Sequence, residues 1–417
     1  MNIKKEITSN AIWSLASHLL SRGSLILAAI ILARELPTTE FAVYSYFQLT
    51  VSMLAAYAAI GLGTTASRFF AEVGHESNQG AKKPLGSLFV ASGFAAILAA
   101  AIVFIIPNQW LSGDLILPKW LMAAGIVATA IGVAPAGALV GLEQYRIVTV
   151  ISGAYGVVIL VASAIAAYYQ SPLIAMGALV IAAILKAAWQ LIIVIKVIGW
   201  QKLVENSTLN ARNFSYIVQY AGPMFLVTLL SASGSWIVGR IILESDEGHY
   251  NFALYSIGLQ WYSLGLLLPG MVSKVILPKL VRVSNHDRNT SHVILKYGVF
   301  ITITTSLIVS LGAVVMGPIF GLMYGSQYEI GPLFIAAYMA ASIFNAPANT
   351  FGNALIARNG QWLWFYLISL WFMAIIALSI VAVSNGLGGW TGSVTHGLSG
   401  FLLCICAFIA CRQCRLI

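Results

Sequence analysis

Runs of about 20 mostly apolar residues follow one another along this chain, with only short breaks between them. A helix of that length spans a bilayer, and its backbone satisfies its own hydrogen bonds there. Only 8% of the residues are charged and the mean hydropathy is +0.89, which excludes an ordinary soluble protein. A membrane β-barrel would show segments of about ten residues with alternating polarity, and the sequence contains no such segments. The sequence therefore predicts an all-α integral membrane protein with about twelve transmembrane helices, at 11–33, 41–63, 85–106, 119–141, 147–169, 173–198, 215–241, 250–273, 295–317, 331–356, 362–384 and 393–411.

The distribution of Lys and Arg indicates the orientation of the chain, because cytoplasmic loops carry an excess of these residues. With a cytoplasmic N-terminus, most of the basic residues lie on the cytoplasmic side, whereas Arg34, Lys119 and Arg240 lie on the other. We therefore expect both termini in the cytoplasm. The same bias accounts for the formal net charge of +9, so no nucleic-acid partner is expected.

The sequence offers little that would support an enzyme. Its breaks are too short for a soluble domain of about 50 residues, and it contains neither a GxxxxGK[ST] nor an HExxH motif. Cys411 and Cys414 form a CxxC pair, but no second pair accompanies it to complete a zinc site. We predict no catalytic residues, no metal and no cofactor.

A polar stripe on the first span is the strongest functional signal. Ser14, Ser17, His18, Ser21 and Arg22 share one helical face. A cation at a helix centre costs about 2.5–3.5 kcal/mol on insertion scales, so it rarely faces lipid. No Asp or Glu lies in the middle of any predicted span. Two explanations of the mid-span Arg22 stay open. It contacts an anionic ligand in a cavity, or it hydrogen-bonds to backbone carbonyls or snorkels to the membrane surface.

Two further spans carry polar residues that we expect to line the same cavity. Lys186 lies near the middle of the sixth span, with Gln190 one turn later. The tenth span places three amides at i, i+4 and i+8, namely Asn345, Asn349 and Asn353. Aromatic side chains can stack on sugar rings, and the candidates for this role are Trp236, Trp261 and Tyr262.

The chain divides into two halves of six spans. ARELPTTEFAVYS at 33–45 and GRIILESDEGHYNFALYS at 239–256 share a helix-end Arg, an acidic outer loop and a Tyr-Ser pair entering the next span. Such repeats are common in secondary transporters, which bind substrate between the halves. We expect an N-terminal lobe at 1–205 and a C-terminal lobe at 206–417.

Four stretches resemble Wzx-type polysaccharide flippases of the multidrug/oligosaccharidyl-lipid/polysaccharide (MOP) superfamily. The opening NAIWSLASHLLSRGSLILAAIILARELPTTEFAVYSYFQL and IGLGTTASRFFAEV at 60–73 are similar to the start of those proteins. In the second half, YAGPMFLVTLLSASGSWIVGRIIL at 220–243 and LLLPGMVSKVILPKLVRV at 266–283 are similar to their seventh and eighth spans. The resemblance implies two pseudo-symmetric six-helix lobes in a V shape.

The resemblance also implies a function. A protein of this kind carries undecaprenyl-pyrophosphate-linked O-antigen units across the inner membrane by alternating access, and Arg22 matches a first-span cation of such sequences. Assigning Arg22 to the pyrophosphate is our hypothesis, whereas Lys186 is assigned only from its depth and charge. An O-antigen polymerase and a chain-length regulator are candidate protein partners. A small-molecule or drug exporter, and a membrane glycan polymerase or ligase, stay open as alternatives.

Overall fold

The computed structural model describes residues 3–59, 61–75, 85–111, 115–205, 211–271, 288–328, 330–358 and 360–414. Within these ranges the chain consists of helices and short turns, as the hydropathy pattern predicts. The helices are α1 (Ile3–Glu35), α2 (Thr38–Ala59), α3 (Leu62–His75), α4 (Leu85–Ile105), α5 (Asn108–Leu111), α6 (Lys119–Ile131), α7 (Val133–Gly141), α8 (Tyr145–Tyr168), α9 (Pro172–Ile198), α10 (Trp200–Glu205), α11 (Ala211–Leu243), α12 (Gly248–Gly265), α13 (Arg288–Met323), α14 (Pro332–Ala357), α15 (Gln361–Ser384) and α16 (Thr391–Gln413).

Nine segments of the described chain are long and apolar enough to cross a membrane. They coincide with predicted spans and are Ile12–Glu35, Leu85–Ile105, Lys119–Gly141, Tyr145–Tyr168, Pro172–Ile198, Gly222–Leu243, His292–Gly317, Gln361–Ser384 and Gly388–Gln413. The other three predicted spans correspond to α2, α12 and α14, which are helical but richer in Tyr, Ser, Thr and Asn. The end of predicted span 250–273 lies outside the described residues.

Two prolines and one residue with a positive φ mark helix boundaries. Pro172 and Pro332 stand at the start of α9 and α14, where their missing N–H has no helical partner to lose. Gln170 takes a φ of 48° in the turn from α8 to α9. The predicted span 119–141 is interrupted at Gly132, where α6 ends and α7 begins.

The chain forms two compact units, Met1–Leu229 (unit 1) and Leu230–Ile417 (unit 2). The division between them falls within α11. The boundary predicted from the six-span halves, between 205 and 206, borders the undescribed residues 206–210 and stays a prediction.

In unit 1, helices α3 and α7 approach each other closely because glycine removes the side chain at their contact. A Cβ on Gly137 would overlap the backbone of Gly63, and one on Gly141 would overlap the backbone of Ser67. Phe70 and Leu88 are fully buried in the apolar cluster beside this contact. The cluster fixes one end of the helical bundle of unit 1.

In unit 2, α14 lies at the centre and packs against α12, α13 and α16. A Cβ on Gly400 would overlap the amide of Asn345, so glycine is required for α16 to approach α14. Tyr338 of α14 is fully buried and donates a hydrogen bond to the carbonyl oxygen of Gly389 over 2.6 Å. These contacts fix the neighbourhood of the tyrosines and His396 described below.

Candidate functional site

The contact between α1 and α8 holds the polar stripe of α1 in place. The Oγ atoms of Ser17 and Ser152 lie 3.0 Å apart and share a hydrogen bond. The Thr149 hydroxyl donates to the carbonyl oxygen of Trp13 over 2.8 Å. Gly156 lies beneath Ser24, and a Cβ at this glycine would come within 3.0 Å of the serine Cβ. Because these small side chains fix the rotation of α1 against α8, they also determine where Arg22 projects.

Four side chains from α1, α2, α8 and α9 form what we call the cationic cluster: Arg22, Tyr44, Tyr155 and Lys186. The Nζ atom of Lys186 lies 4.7 Å from the centre of the Tyr155 ring, in a cation–π contact. Arg22 lies within electrostatic range of both Lys186 and Tyr155, and Tyr44 within range of Tyr155. The structure thus brings together the two mid-span cations that the sequence singles out separately.

Burial differs among the members of the cationic cluster. Arg22 is exposed on the surface of unit 1, Lys186 is half-buried, and Tyr44 is buried. The Tyr155 ring covers one side of the Lys186 ammonium group, which leaves its other N–H directions for another partner. The two positive charges repel each other, so a doubly charged anion would relieve the repulsion.

Neither cation is paired with a carboxylate in the described part of the chain. The ion pairs there join Arg34 to Glu35 at 3.6 Å and Arg240 to Glu244 at 2.6 Å. Both pairs lie at helix ends, and neither includes a member of the cationic cluster. The internal ion pair that would make Arg22 and Lys186 purely structural is therefore absent among the described residues.

His18 and Gln190, the other two candidates of unit 1, flank the cationic cluster along the chain. His18 is exposed one turn before Arg22 on α1, and it makes a contact of its own. Gln190 is buried one turn after Lys186 on α9. Their proximity to the two cations comes from helical spacing, and a role in binding stays a prediction.

The three asparagines of α14 have different surroundings. Asn345 is buried, and its amide donates to the carbonyl oxygens of Ala341 over 3.2 Å and of His396 over 3.0 Å. Asn349 is exposed and Asn353 is half-buried. Asn345 is thus engaged in packing α14 against α16, while Asn349 and Asn353 stay candidates for ligand contact.

The tryptophan candidates also differ. Trp261 is only 4% exposed, and its indole N–H donates to the Tyr324 hydroxyl over 2.8 Å. Trp236 on α11 is half-buried. The ring of Trp261 is therefore covered by protein in this conformation, and Trp236 is the more accessible of the two for a sugar ring.

Sequence reasoning singled out Tyr262 as an aromatic candidate but missed Tyr44, Tyr155, Tyr255 and His396. Tyr155 and Tyr44 carry no distinctive spacing, because their importance comes from contacts across helices. His396 is visible in the sequence as a lone histidine within a predicted span, but its neighbours Tyr255 and Tyr262 come from another helix. No group of three His, Cys, Asp or Glu residues that could hold a metal occurs in the described ranges.

The chain is similar in sequence to known polysaccharide proteins. A family model described as polysaccharide biosynthesis protein matches residues 7–284. The EPS I polysaccharide export inner membrane protein EpsE of Ralstonia solanacearum is 20% identical over 407 residues, which are 96% of this chain and 92% of that protein. Its counterpart from Ralstonia nicotianae is 22% identical over 409 residues, with the same coverage of both chains.

Solved structures of MOP superfamily transporters have the same fold. An inward-facing multidrug resistance MATE family transporter matches with a TM-score of 0.76 and 14% identity, over 97% of this chain and 98% of that one. A Pyrococcus furiosus transporter, reported with a reverse polarity of its binding pocket, matches with a TM-score of 0.71 and 12% identity, over 99% and 96%. The family model supports the resemblance seen in the sequence, and the solved structures confirm the all-α fold.

Proposed function

We propose, from the premise that this chain belongs to the polysaccharide biosynthesis protein family, that it is the flippase for a lipid-linked oligosaccharide in a bacterial inner membrane. The cargo we propose is an O-antigen repeat unit on undecaprenyl pyrophosphate, moved from the cytoplasmic to the periplasmic face. Polysaccharide transport is the general function that the family and the EpsE relatives support. The O-antigen unit and the polyprenyl pyrophosphate are the finer part of the proposal.

The cationic cluster is the observation that carries the proposal. A pyrophosphate diester brings two negative charges, which match the two cations of Arg22 and Lys186. Hydrogen bonds between charged partners are short and about twice as strong as neutral ones. A guanidinium adds a planar fork that fits two phosphate oxygens at once. In our proposal Arg22 holds the pyrophosphate in this way, and Lys186 contributes a second charge.

The charge pattern argues against a transporter of cations. A cationic drug would need an acidic or aromatic site, whereas the cationic cluster presents two positive charges with no paired carboxylate among the described residues. The aromatic ring of Tyr155 is already covered by Lys186. Export of a small anionic molecule would meet the same electrostatics, and the experiment below separates it from a lipid-linked glycan.

Transport of such a cargo has a clear physical requirement. Glycan hydroxyls would lose their hydrogen bonds to water inside about 30 Å of hydrocarbon. Polar side chains such as Gln190, Asn349 and Asn353 could replace those bonds, and Trp236 could stack on a sugar ring. An inside-negative potential would favour the outward move of two negative charges by about 4.6 kcal/mol per 100 mV, at about 2.3 kcal/mol per charge. We also propose cytoplasmic termini, from the Lys and Arg distribution.

The test is deletion of the gene, followed by mass spectrometry of undecaprenyl-linked glycans and gel analysis of surface lipopolysaccharide. We expect one complete repeat unit to accumulate on the cytoplasmic side and the surface O-antigen ladder to disappear. Re-expression of the wild-type chain restores the ladder. An intact ladder with no accumulated lipid-linked unit would disprove the flippase proposal and favour export of another anion. If the ladder disappears and the repeat unit accumulates, the same strain serves to test an O-antigen polymerase and a chain-length regulator as partners.

A further inference from the structure

His396 lies inside unit 2, on the membrane-spanning helix α16, and is only 1% exposed. Its imidazole ring stacks on the Tyr262 ring, with centroids 4.7 Å apart and an angle of 26° between the planes. The Tyr255 ring lies nearly parallel to it at 6.5 Å. The imidazole is therefore in contact with aromatic faces rather than with polar groups.

Neither nitrogen of the His396 ring has a hydrogen-bond partner among the described residues. The amide of Asn345 binds the backbone carbonyl of His396 and leaves the ring nitrogens unused. The Tyr255 hydroxyl is also engaged elsewhere, since it donates to the carbonyl oxygen of Ser235 over 2.8 Å. A buried group that makes no hydrogen bond destabilises the fold. Unlike the unpartnered hydroxyls of Thr391 and Ser399 on the same helix, the imidazole can bind a proton near physiological pH.

The helices around His396 carry almost no charge. Helices α12, α14 and α15 contain no Asp, Glu, Lys or Arg, and Arg412 stands at the far end of α16. The titratable groups that face His396 from the packed helices are the phenols of Tyr255 and Tyr262 on α12 and, next to Tyr255, of Tyr338 on α14. The Tyr366 phenol of α15 is exposed. Among the described residues, an imidazolium formed here would have neither a counter-ion nor an acceptor for its two N–H groups in this packing.

We propose that His396 is a proton-binding site of unit 2, and that its protonation is linked to repacking of α12 against α16. The imidazolium needs two acceptors, which the described packing does not offer, so it is stabilised only after a rearrangement admits water or reorients the tyrosine hydroxyls. A proton that binds one conformation better than another shifts the population toward it. Histidine is the side chain whose proton exchange lies near physiological pH.

This inference goes beyond the proposed function, because it concerns the energy source rather than the cargo. The chain has no carboxylate in the middle of a predicted span that could exchange protons in that role. A protonatable histidine in unit 2, which is not part of the cationic cluster of unit 1, would let a proton gradient act on the transporter without competing with an anionic ligand. The inference does not depend on which cargo the protein transports.

Hydrogen–deuterium exchange of the purified full-length protein tests the linkage without any cargo. Exchange is measured at about pH 5.5 and about pH 7.5 and corrected for the intrinsic pH dependence of amide exchange. In the wild type we expect peptides covering 252–262 and 391–403 to exchange at least about threefold faster at the lower pH. The variants His396→Phe and His396→Gln should lose this difference. The control His292→Gln, which removes an exposed histidine of α13, should keep it.

Two results would overturn the proposal: no pH-dependent change in these peptides of the wild type, or the same change in His396→Gln. Size-exclusion chromatography shows which variants are folded. If His396→Phe is not folded, His396→Gln still provides a side chain that does not titrate. Because no glycan is present, the outcome is independent of the deletion experiment. An intact flippase function with no linkage at His396 would refute this inference alone.

Discussion

The two units of this transporter handle polar groups inside the membrane in different ways. Unit 1 brings two basic side chains together, with Arg22 exposed and Lys186 held against the Tyr155 ring. Unit 2 buries neutral side chains, and most of them bond to backbone carbonyls, as Asn345 and Tyr338 do. The exceptions among the described residues include the Thr391 and Ser399 hydroxyls and both nitrogens of the His396 ring.

The difference has a physical reason. A permanent charge in the bilayer requires a partner, so it persists only where another group or a ligand compensates it. A neutral buried amide or hydroxyl can be satisfied by the backbone of a neighbouring helix at little cost. Unit 1 is therefore the better candidate for binding an anion, whereas unit 2 holds the buried histidine that we propose as a proton-binding site.

Removing either cation should have the largest effect. We expect Arg22→Gln and Lys186→Gln each to lower surface O-antigen at least about tenfold, because a hydrogen bond to a charged group contributes about 1.5–3 kcal/mol. The protein itself should remain in the membrane, since each change removes a charge that is unfavourable there. Quantitative blotting of surface glycan and of the membrane-bound protein measures both effects.

Arg34→Gln is the matched control for these two variants. Arg34 is exposed and pairs with Glu35 at 3.6 Å, and such surface pairs contribute only about 0–1 kcal/mol. The Arg34→Gln variant should therefore keep surface O-antigen at the wild-type level. Full surface O-antigen in both Arg22→Gln and Lys186→Gln would show that the cationic cluster does not bind the cargo, and the contrast between the units would lose its functional meaning.

A substitution at the α14–α16 contact tests the other half of the comparison. Gly400→Ala would place a Cβ against the Asn345 amide and disturb its hydrogen bond to His396, so we expect a loss of about 1–3 kcal/mol. Gly397→Ala is the control, because its Cβ would make an ordinary contact with Ala341 at 3.7 Å. Thermal unfolding in detergent measures both. Equal stability of the two variants would contradict the close approach of these helices.

The sequence predicts the helices well but their partners poorly. The apolar runs identify the spans because the bilayer imposes a length on each one. The break at Gly132 has a cause that is visible in the sequence, because Pro135 lacks the N–H that would bond to the carbonyl oxygen of Ile131. The end of α2 at Ala59, short of the predicted 63, is a similar local difference.

The candidate site shows the same limit. The mid-span charges of Arg22 and Lys186 are visible in the sequence because a cation in an apolar run is rare. Their convergence with Tyr155 depends on how α1, α8 and α9 pack, which no single helix encodes. Helical periodicity predicts that Asn345, Asn349 and Asn353 share one side of α14, but it cannot indicate that α16 covers the first of them.

The smallest expected effect concerns the Tyr155 ring, and it tests how Lys186 is held. A cation–π contact contributes about 0.5–2 kcal/mol, so Tyr155→Ala should lower surface O-antigen about two- to thirtyfold when expression is limiting. Tyr155→Phe keeps the ring and should stay near the wild-type level. Tyr168→Ala, at an exposed span end, is the control. If Tyr155→Phe lowers surface O-antigen as much as Tyr155→Ala, the important group is the Tyr155 hydroxyl and not the face of its ring. Lys186 would then have to be positioned by the ligand itself.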